Sequence, residues 1–398
     1  MEEKLEWKEK KTSLGNAIII GVVMLVIGVV VGIFGGEWFG GFAPYLGLSG
    51  NNSSNINWSA LNEVYNKLAS SYNGEISNEQ IIEGAKKGLT EALGDTYTVY
   101  MTAEETSEFY DDLHGNVGSG IGVEMGLRDG YVRVLRTLPD NPARKAGILA
   151  GDILYKVNGE EVYNLSTDEI SKKVRGETGT EVTVTVVRDG KEKEFTMKRE
   201  TINNVSAYVE YDGDTAIVTV TRFDNDTGTM VQDFAKKFKD KGVKKVILDL
   251  RSNGGGYVTA AQDLLSLWID GDVILKQKSK HFGDSDTKAN NGKAILKDMK
   301  TVVLVNGSTA SASEIVAGAL QDYEKATVVG ETTYGKGVVQ NLYDLSNSTV
   351  LKVTTAEWYT PKERSINKTG IEPDVKVERS YEDINAMRDP QLDKAKKL

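Results

Sequence analysis

The sequence predicts an α/β core interrupted by a mainly-β module, preceded by a small helical domain and one N-terminal membrane-spanning helix. Three observations carry that prediction. From residue 201 onward, apolar strand patterns alternate with helical ones, as in Lys245–Leu250 followed by Thr259–Ile269; such alternation implies a largely parallel sheet. Between residues 113 and 200 the runs are short, β-rich and broken by Gly, Asn and Asp. Leu14 to Gly36 contains no charge at all.

Composition narrows the function classes. The chain has 398 residues, 39% of them apolar and 27% charged, the balance of a protein that buries a core. A formal net charge of −10 argues against nucleic acid as a partner, which needs a basic face. With no cysteine there is no disulfide, thiolate metal site or thiol nucleophile, and only two histidines are present.

Residues 1–13 read as a short charged cytoplasmic tail. The 14–36 stretch, at about 1.5 Å per residue, reaches about 34 Å, enough to cross a hydrocarbon core of about 30 Å. Lys8, Lys10 and Lys11 precede it and Glu37 follows, so the positive-inside rule keeps the N-terminus in the cytoplasm and exports the rest. The expected location is thus the cell membrane, with a single pass. Residues 37–57 are rich in Gly, Ser and Asn and read as a flexible linker. Residues 58–112 read as a helical domain: Leu61, Val64, Leu68 and Tyr72 recur at helical spacing. A second helix starts after Ser77, and Gly94-Asp-Thr-Tyr-Thr-Val-Tyr100 breaks the helices.

Within 113–200, Arg188-Asp-Gly-Lys191 marks a hairpin. Helices are expected at Ala143–Ala146 and Ser166–Val174. Two stretches stand out: Ser119-Gly-Ile-Gly-Val123, and Asn141 to Gly159 with its Pro-Ala-x-x-Ala-Gly and Gly-Asp-Ile-Leu-x-x-Val-Asn-Gly pattern. The second resembles the core signature of PDZ domains and the first their carboxylate-binding loop, which assigns peptide binding to Ser119, Gly120, Ile121 and Gly122. A glycine-bounded loop entering a strand exposes successive N–H groups to a terminal carboxylate, and the peptide adds a strand to the sheet edge.

In the core, 201–390, strands are expected at Thr215–Thr221, Lys245–Leu250, Thr301–Val305 and Thr327–Val329. Helices are expected at Gly228–Lys239, Thr259–Ile269 and Ala312–Leu320. Residues 276–300 read as a polar insertion, and 391–398 as a charged, exposed tail.

The chemistry centres on Asn306-Gly-Ser-Thr-Ala-Ser-Ala-Ser-Glu314 and Tyr334-Gly-Lys-Gly-Val-Val-Gln340. Ser311 opens a helix whose first N–H groups lack internal partners and face any developing oxyanion. A serine there is commonly only a cap. Lys336 adds the second half: flanked by glycines, its amine can turn inward, and burial lowers a lysine's pKa toward that of a usable base. Gln340, four residues along an extended run, points to the same side. Gly330 to Lys336 imitates a phosphate-binding loop, but Gly337 replaces the required Ser or Thr and a strand follows. Gly254-Gly-Gly256 after a buried strand fits either a tight turn or an oxyanion-hole donor facing Ser311. His114 and His281 lie outside these motifs.

Taken together, Gly94-Asp-x-Tyr-Thr-x-Tyr100, the PDZ-like module, Leu248-Asp-Leu-Arg-x-Asn-Gly-Gly-Gly256, Ser-Ala-Ser-Glu314, Gly335-Lys-Gly-x-x-Gln340 and Gly370-Ile-Glu-Pro-Asp374 resemble the carboxyl-terminal processing peptidases, or tail-specific proteases. The resemblance implies a ClpP-like or crotonase-like α/β core with an inserted PDZ domain. It implies a serine endopeptidase with Ser311 as nucleophile, Lys336 as general base, Gln340 as its support, and the N–H groups of Gly255 and Ala312 as oxyanion hole. It implies no cofactor and no metal, protein tails as substrates, and PDZ gating of the site; a homo-oligomer and a regulatory partner stay open. The competing readings are a catalytically silent PDZ scaffold at the cell surface and a crotonase-like acyl-CoA enzyme. Export away from CoA disfavours the latter.

Overall fold

The computed structural model describes residues 57–398 apart from 117, 129 and 387. The 1–13 tail, the 14–36 span and nearly all of the 37–57 linker lie outside the described residues. Among the described residues, no helix is long and apolar enough to cross a membrane. Contacts divide the chain into a unit ending at Ser77 and a unit from Asn78 to Leu398. In the first, α1 (Trp58–Ser71) is capped by Asn57, whose side chain accepts the Ser59 N–H at 3.1 Å. The predicted stripe of Leu61, Val64, Leu68 and Tyr72 is exposed.

The second unit opens with α2 (Asn78–Glu91), β1 (Val99–Met101) and α3 (Ala103–His114). Asp95 folds the intervening stretch by accepting the Tyr97 N–H at 3.0 Å and the Thr98 hydroxyl at 2.7 Å. Thr102 and Glu105 close a capping box on α3.

The β-rich module follows: β2 (Ser119–Gly120), β3 (Val123–Arg128), β4 (Tyr131–Thr137), α4 (Pro142–Ala146), β5 (Ile153–Val157), β6 (Glu160–Glu161), α5 (Thr167–Val174), β7 (Glu181–Arg188), β8 (Lys191–Lys198) and β9 (Glu200–Thr201). Its sheet runs β3-β4-β5-β7-β8, with β6 beside β5. Asp189 and Gly190 both take positive φ, 52° and 70°, giving the tight turn expected from Asp-Gly. Ser166 caps α5, and Ile170 and Val174 pack with Val132, Leu154, Val182 and Val184. Burying each such side chain contributes about 1.5–3 kcal/mol. Antiparallel pairing of β2 with β9 clamps the two ends of the module together.

The core comprises β10 (Ala207–Asp212), β11 (Thr215–Val220), α6 (Thr227–Phe238), β12 (Lys245–Asp249), α7 (Val258–Leu265), β13 (Val273–Lys278), β14 (Ser285–Lys288), β15 (Lys300–Val305), α8 (Ala312–Asp322), β16 (Thr327–Gly330), β17 (Val338–Asp344), β18 (Val350–Tyr359), β19 (Val375–Lys376), α9 (Tyr381–Asn385) and α10 (Pro390–Lys397). The main sheet runs β10-β11-β12-β15-β16-β19 and is parallel from β11 onward. Helices α6, α7 and α8 contribute to the large apolar core with this sheet. A second sheet joins β1, β18, β13 and β14, with β17 on the other edge of β18.

Three expectations change. The Gly94–Tyr100 stretch is more than a helix break, since β1 within it pairs with β18 of the core. The 276–300 insertion contains the end of β13 and all of β14, a half-exposed hairpin whose polar face hid its alternation. The 391–398 tail is not an exposed end. It belongs to α10, which buries Gln391 and Ala395 and sets Leu392 and Ala395 against Ile247, Val302, Leu304 and Val329 of the main sheet.

Candidate active site

Ser311 lies between β15 and α8 on a sharp turn. Asn306 and Thr309 build that turn: the Asn306 N–H donates to the Thr309 hydroxyl oxygen at 3.0 Å, and the hydroxyl donates to Leu250 O at 2.9 Å. The Ser252 N–H donates to the Asn306 side chain at 2.9 Å, and the Ala310 N–H to Asn253 O at 3.0 Å. The turn is thus stitched to the loop leaving β12. At its apex Ser311 takes φ 56°, ψ −118°, a strained conformation at a strand-to-helix turn. The Ala312 N–H donates to no acceptor among the described residues.

Glu314, one turn into α8, is fully buried. Its carboxylate receives four donors: the Ser311 N–H at 2.8 Å, the Thr333 hydroxyl at 2.6 Å, the Gly335 N–H at 2.7 Å and the Lys336 N–H at 3.0 Å. One side chain therefore ties the serine turn to the lysine loop. Burial pushes its carboxyl above the usual range against the pull of those hydrogen bonds.

The glycines around Lys336 do what the sequence requires of them. A Cβ on Gly335 would sit 2.9 Å from the backbone N of Gly370, and one on Gly337 2.6 Å from that of Asn367. Lys336 O accepts the Trp358 indole N–H at 2.9 Å. Burial pulls the Lys336 amine below its ordinary pKa; repulsion from Lys352 adds to this and Glu314 opposes it. Its Nζ lies 5.2 Å from the centre of the Tyr97 ring and makes no hydrogen bond to Ser311 among the described residues. Gln340 sits at an irregularity in the β17–β18 register, and its buried Nε2 has no partner among the described residues, so the expected support of the amine is not formed in this structure.

The glycine loop abuts the serine. A Cβ on Gly255 would meet Ser311 Cβ at 2.7 Å, Ala310 O at 2.9 Å and Ala312 N at 3.0 Å. Its φ is 105°. The Gly255 N–H, expected to face an oxyanion, donates instead to Asn253 Oδ1 at 2.9 Å. The fully buried Asn253 donates in turn to Val220 O at 2.9 Å. His114 stands apart, against the Tyr257 hydroxyl at 3.2 Å. Tyr97, Asn253 and Glu314 all fall inside the recognised motifs, yet only the fold reveals what their side chains hold.

In the β-rich module, Ser119 and Gly120 lie in β2 and lead into Ile121 and Gly122. Ile121 O accepts the Ala143 N–H and Gly122 O the Leu138 N–H, at 2.8 and 2.9 Å. The N–H groups of Ile121 and Gly122 donate to nothing among the described residues. These four residues line a cavity of about 550 Å³, walled by Val174 of α5, by Arg175 just beyond it, and by Arg222, Ser252 and Gly254 of the core.

A strained serine, a half-buried lysine with a lowered pKa and an inserted β-rich module fit a serine-type peptidase with a PDZ domain. Residues 214–377 match peptidase family S41, residues 119–198 a PDZ domain, and residues 47–106 the N-terminal domain of the activating protease CtpB. The chain is 34% identical over 378 residues to a CtpA-like serine protease of Staphylococcus saprophyticus, covering 93% of this chain and 75% of the relative. It is 35% identical over 375 residues to one from Staphylococcus aureus, covering 93% and 74%. Among solved structures, the photosystem II D1 C-terminal processing protease superposes with a TM-score of 0.54 at 28% identity, covering 83% of this chain and 90% of that one. An S41 protease from Bacteroides fragilis, at 17% identity and TM-score 0.52 over 72% of this chain and 80% of that one, shares the fold. The chain belongs to the S41 peptidases, within the CtpA-like carboxyl-terminal processing proteases.

Proposed function

We propose that this chain is a membrane-anchored, extracytoplasmic endopeptidase that captures protein C-terminal tails in its PDZ groove and cuts with a Ser311–Lys336 dyad. The observation that carries the reading is the Glu314 bridge, which ties the backbone of a strained serine to that of a half-buried lysine of lowered pKa. The neutral Lys336 amine takes the Ser311 hydroxyl proton as Oγ attacks the scissile carbonyl. The Ala312 N–H stabilises the oxyanion. Collapse breaks the C–N bond, the lysine returns the proton to the leaving amine, and an acyl-serine remains. Water, deprotonated by the same amine, releases it. In this reading the unpaired Gln340 amide, the unmade Lys336–Ser311 hydrogen bond and the engaged Gly255 N–H belong to a resting site that substrate draws together, with PDZ occupancy as the trigger. The anchor is the uncharged 14–36 stretch, with the catalytic part outside.

The full-length chain in detergent should cleave an unstructured peptide bearing a free C-terminus, and Ser311→Ala should reduce cleavage by more than 10³-fold. Equal cleavage by the variant would end the reading. The unmade Lys336–Ser311 hydrogen bond favours the second reading, a silent PDZ scaffold. A serine-directed phosphonate probe separates the two, since only an active dyad forms the Ser311 adduct.

A further inference from the structure

The wall of the PDZ cavity is not made by the PDZ domain alone. Arg222, in the loop between β11 and α6, lines it beside Ser119, Gly120, Ile121 and Gly122. Its guanidinium is poorly satisfied. Nη2 meets Asp224 Oδ2 at 2.8 Å and His114 O at 3.3 Å, but Nε and Nη1 are buried and have no acceptor among the described residues. Asp224 cannot serve them further, because its Oδ1 already receives the N–H groups of Asp226 and Thr227 and the Thr227 hydroxyl. Ser119 Oγ, on the same cavity wall, is also buried without a partner. Buried donors left unpaired are costly and uncommon. Here they gather around one cavity together with the two unbonded loop N–H groups of Ile121 and Gly122.

We propose that Arg222 is a second, core-derived anchor for the captured tail, binding a carboxylate of the peptide in the cavity it shares with the PDZ loop. This rests on the tail-capture reading and adds to it a residue outside the PDZ domain. A carboxylate is the acceptor that matches the set: an unpaired guanidinium N–H donates to it in a charge-assisted hydrogen bond, and a hydroxyl and backbone N–H groups complete its shell. The other charged groups on the cavity are Asp112 and Glu124 against Arg136 and Arg175, with Glu124 already paired to Arg136. The position also carries a consequence. Phe223, the next residue, donates its N–H to Gly255 O at 2.9 Å and accepts the Tyr257 N–H at 2.8 Å. Tail binding at Arg222 therefore acts one residue away from the loop that lies against Ser311.

The test uses full-length Ser311→Ala protein in detergent, so that bound peptide is not cut, and three fluorescein-labelled peptides read by anisotropy. One has a free C-terminus and one acidic side chain near its end, one is the same peptide amidated, and one has a free C-terminus with the acidic side chain replaced by its amide. Added to this background, Arg222→Ala should weaken the first peptide about tenfold, and Arg222→Lys should recover part of the loss. If the terminal carboxylate is the ligand, the loss disappears with the amidated peptide; if the side chain is, it disappears with the neutral one. Equal binding of all peptides with and without Arg222 overturns the site, and so does a loss that is the same for all three. If the protein with Arg222 intact binds no peptide at all, the tail-capture reading itself fails, which is a different result from losing Arg222 alone.

Discussion

At the scale of single residues, Glu314 makes more of the hydrogen bonds that hold the site together than either Ser311 or Lys336. Burying a carboxylate costs several kcal/mol unless its oxygens are paired, and here two donors meet each oxygen. Glutamine at this position would turn an NH2 group toward N–H donors and lose the charge. With Lys336 as base, Glu314→Gln should lower kcat on the order of 10²-fold by loosening the geometry, with tail-peptide affinity unchanged. A second readout separates this from general damage. The Glu314 charge raises the Lys336 pKa, against burial and against Lys352; the Tyr97 ring also lies beside the amine. Removing the charge lets the amine lose its proton at lower pH, so the acid limb of the kcat/KM profile should move to lower pH. A variant whose limb stays in place, however slow, would show Glu314 to be scaffolding only. The motif Ser-Ala-Ser-Glu was legible as a motif, but four donors converging from 333–336 and from Ser311 are a tertiary fact that no local pattern contains.

At the scale of elements, the site is a meeting of three loops: the turn before α8, the lysine loop before β17 and the glycine loop after β12. Each follows or precedes a strand whose apolar run announced it, which is why the sequence located all three. Their mutual state was not legible. Asn253 takes the Gly255 N–H through a side chain two residues away, and an Asn in a Gly-rich loop is equally compatible with that bond and with its absence. The β13–β14 hairpin was missed for a related reason: its pairing partner, β18, lies some eighty residues on, and a half-exposed strand shows little apolar contrast. The glycine loop gives a sharp prediction. Gly255 has φ 105° and no space for a Cβ beside Ser311, so Gly255→Ala must move the loop, the serine or both. Activity should fall by at least 10²-fold, on the order of losing one oxyanion donor. Anisotropy should still show a free-acid tail peptide bound, because Ile121 and Gly122 of the PDZ loop are untouched. Retained activity would exclude the loop from the reaction.

At the scale of the whole molecule, the parallel sheet and the inserted module were readable because both rest on repeated, local patterns: alternation of strand and helix, and closely spaced turns. The C-terminal segment was not. Its apolar content is small and its lysines are many, yet Leu392 and Ala395, three residues apart, fit one helix face that covers the sheet opposite α8. Charge also ties that helix down. Arg251, at the mouth of the glycine loop, donates from Nε and Nη2 to Asp249 at 2.9 and 2.6 Å, and from Nη1 to Asp389 at 2.9 Å and Gln391 at 3.1 Å. Burial works against the Arg251 charge, and Asp249 and Asp389 more than offset it. Burial likewise pushes the Asp389 carboxyl up, and hydrogen bonding and attraction from Arg251 outweigh this and hold it below its ordinary 3.8. The folded state therefore binds the Asp389 proton less readily than the unfolded chain does. Its stabilisation is present above the unfolded pKa and is lost as pH falls through the lower folded value. Asp389→Asn keeps the cap on Leu392 but removes the charge. At neutral pH it should destabilise by about 1–3 kcal/mol, less than the about 3–5 expected for a fully buried pair, because Asp249 still partners Arg251. The difference between the two proteins should shrink only below about pH 4. Urea unfolding of both across that range measures it. A gap that stays constant down to pH 2 would show that the helix is held by its apolar face, and that the Arg251–Asp389 pair contributes nothing to fastening the C-terminal segment to the glycine loop.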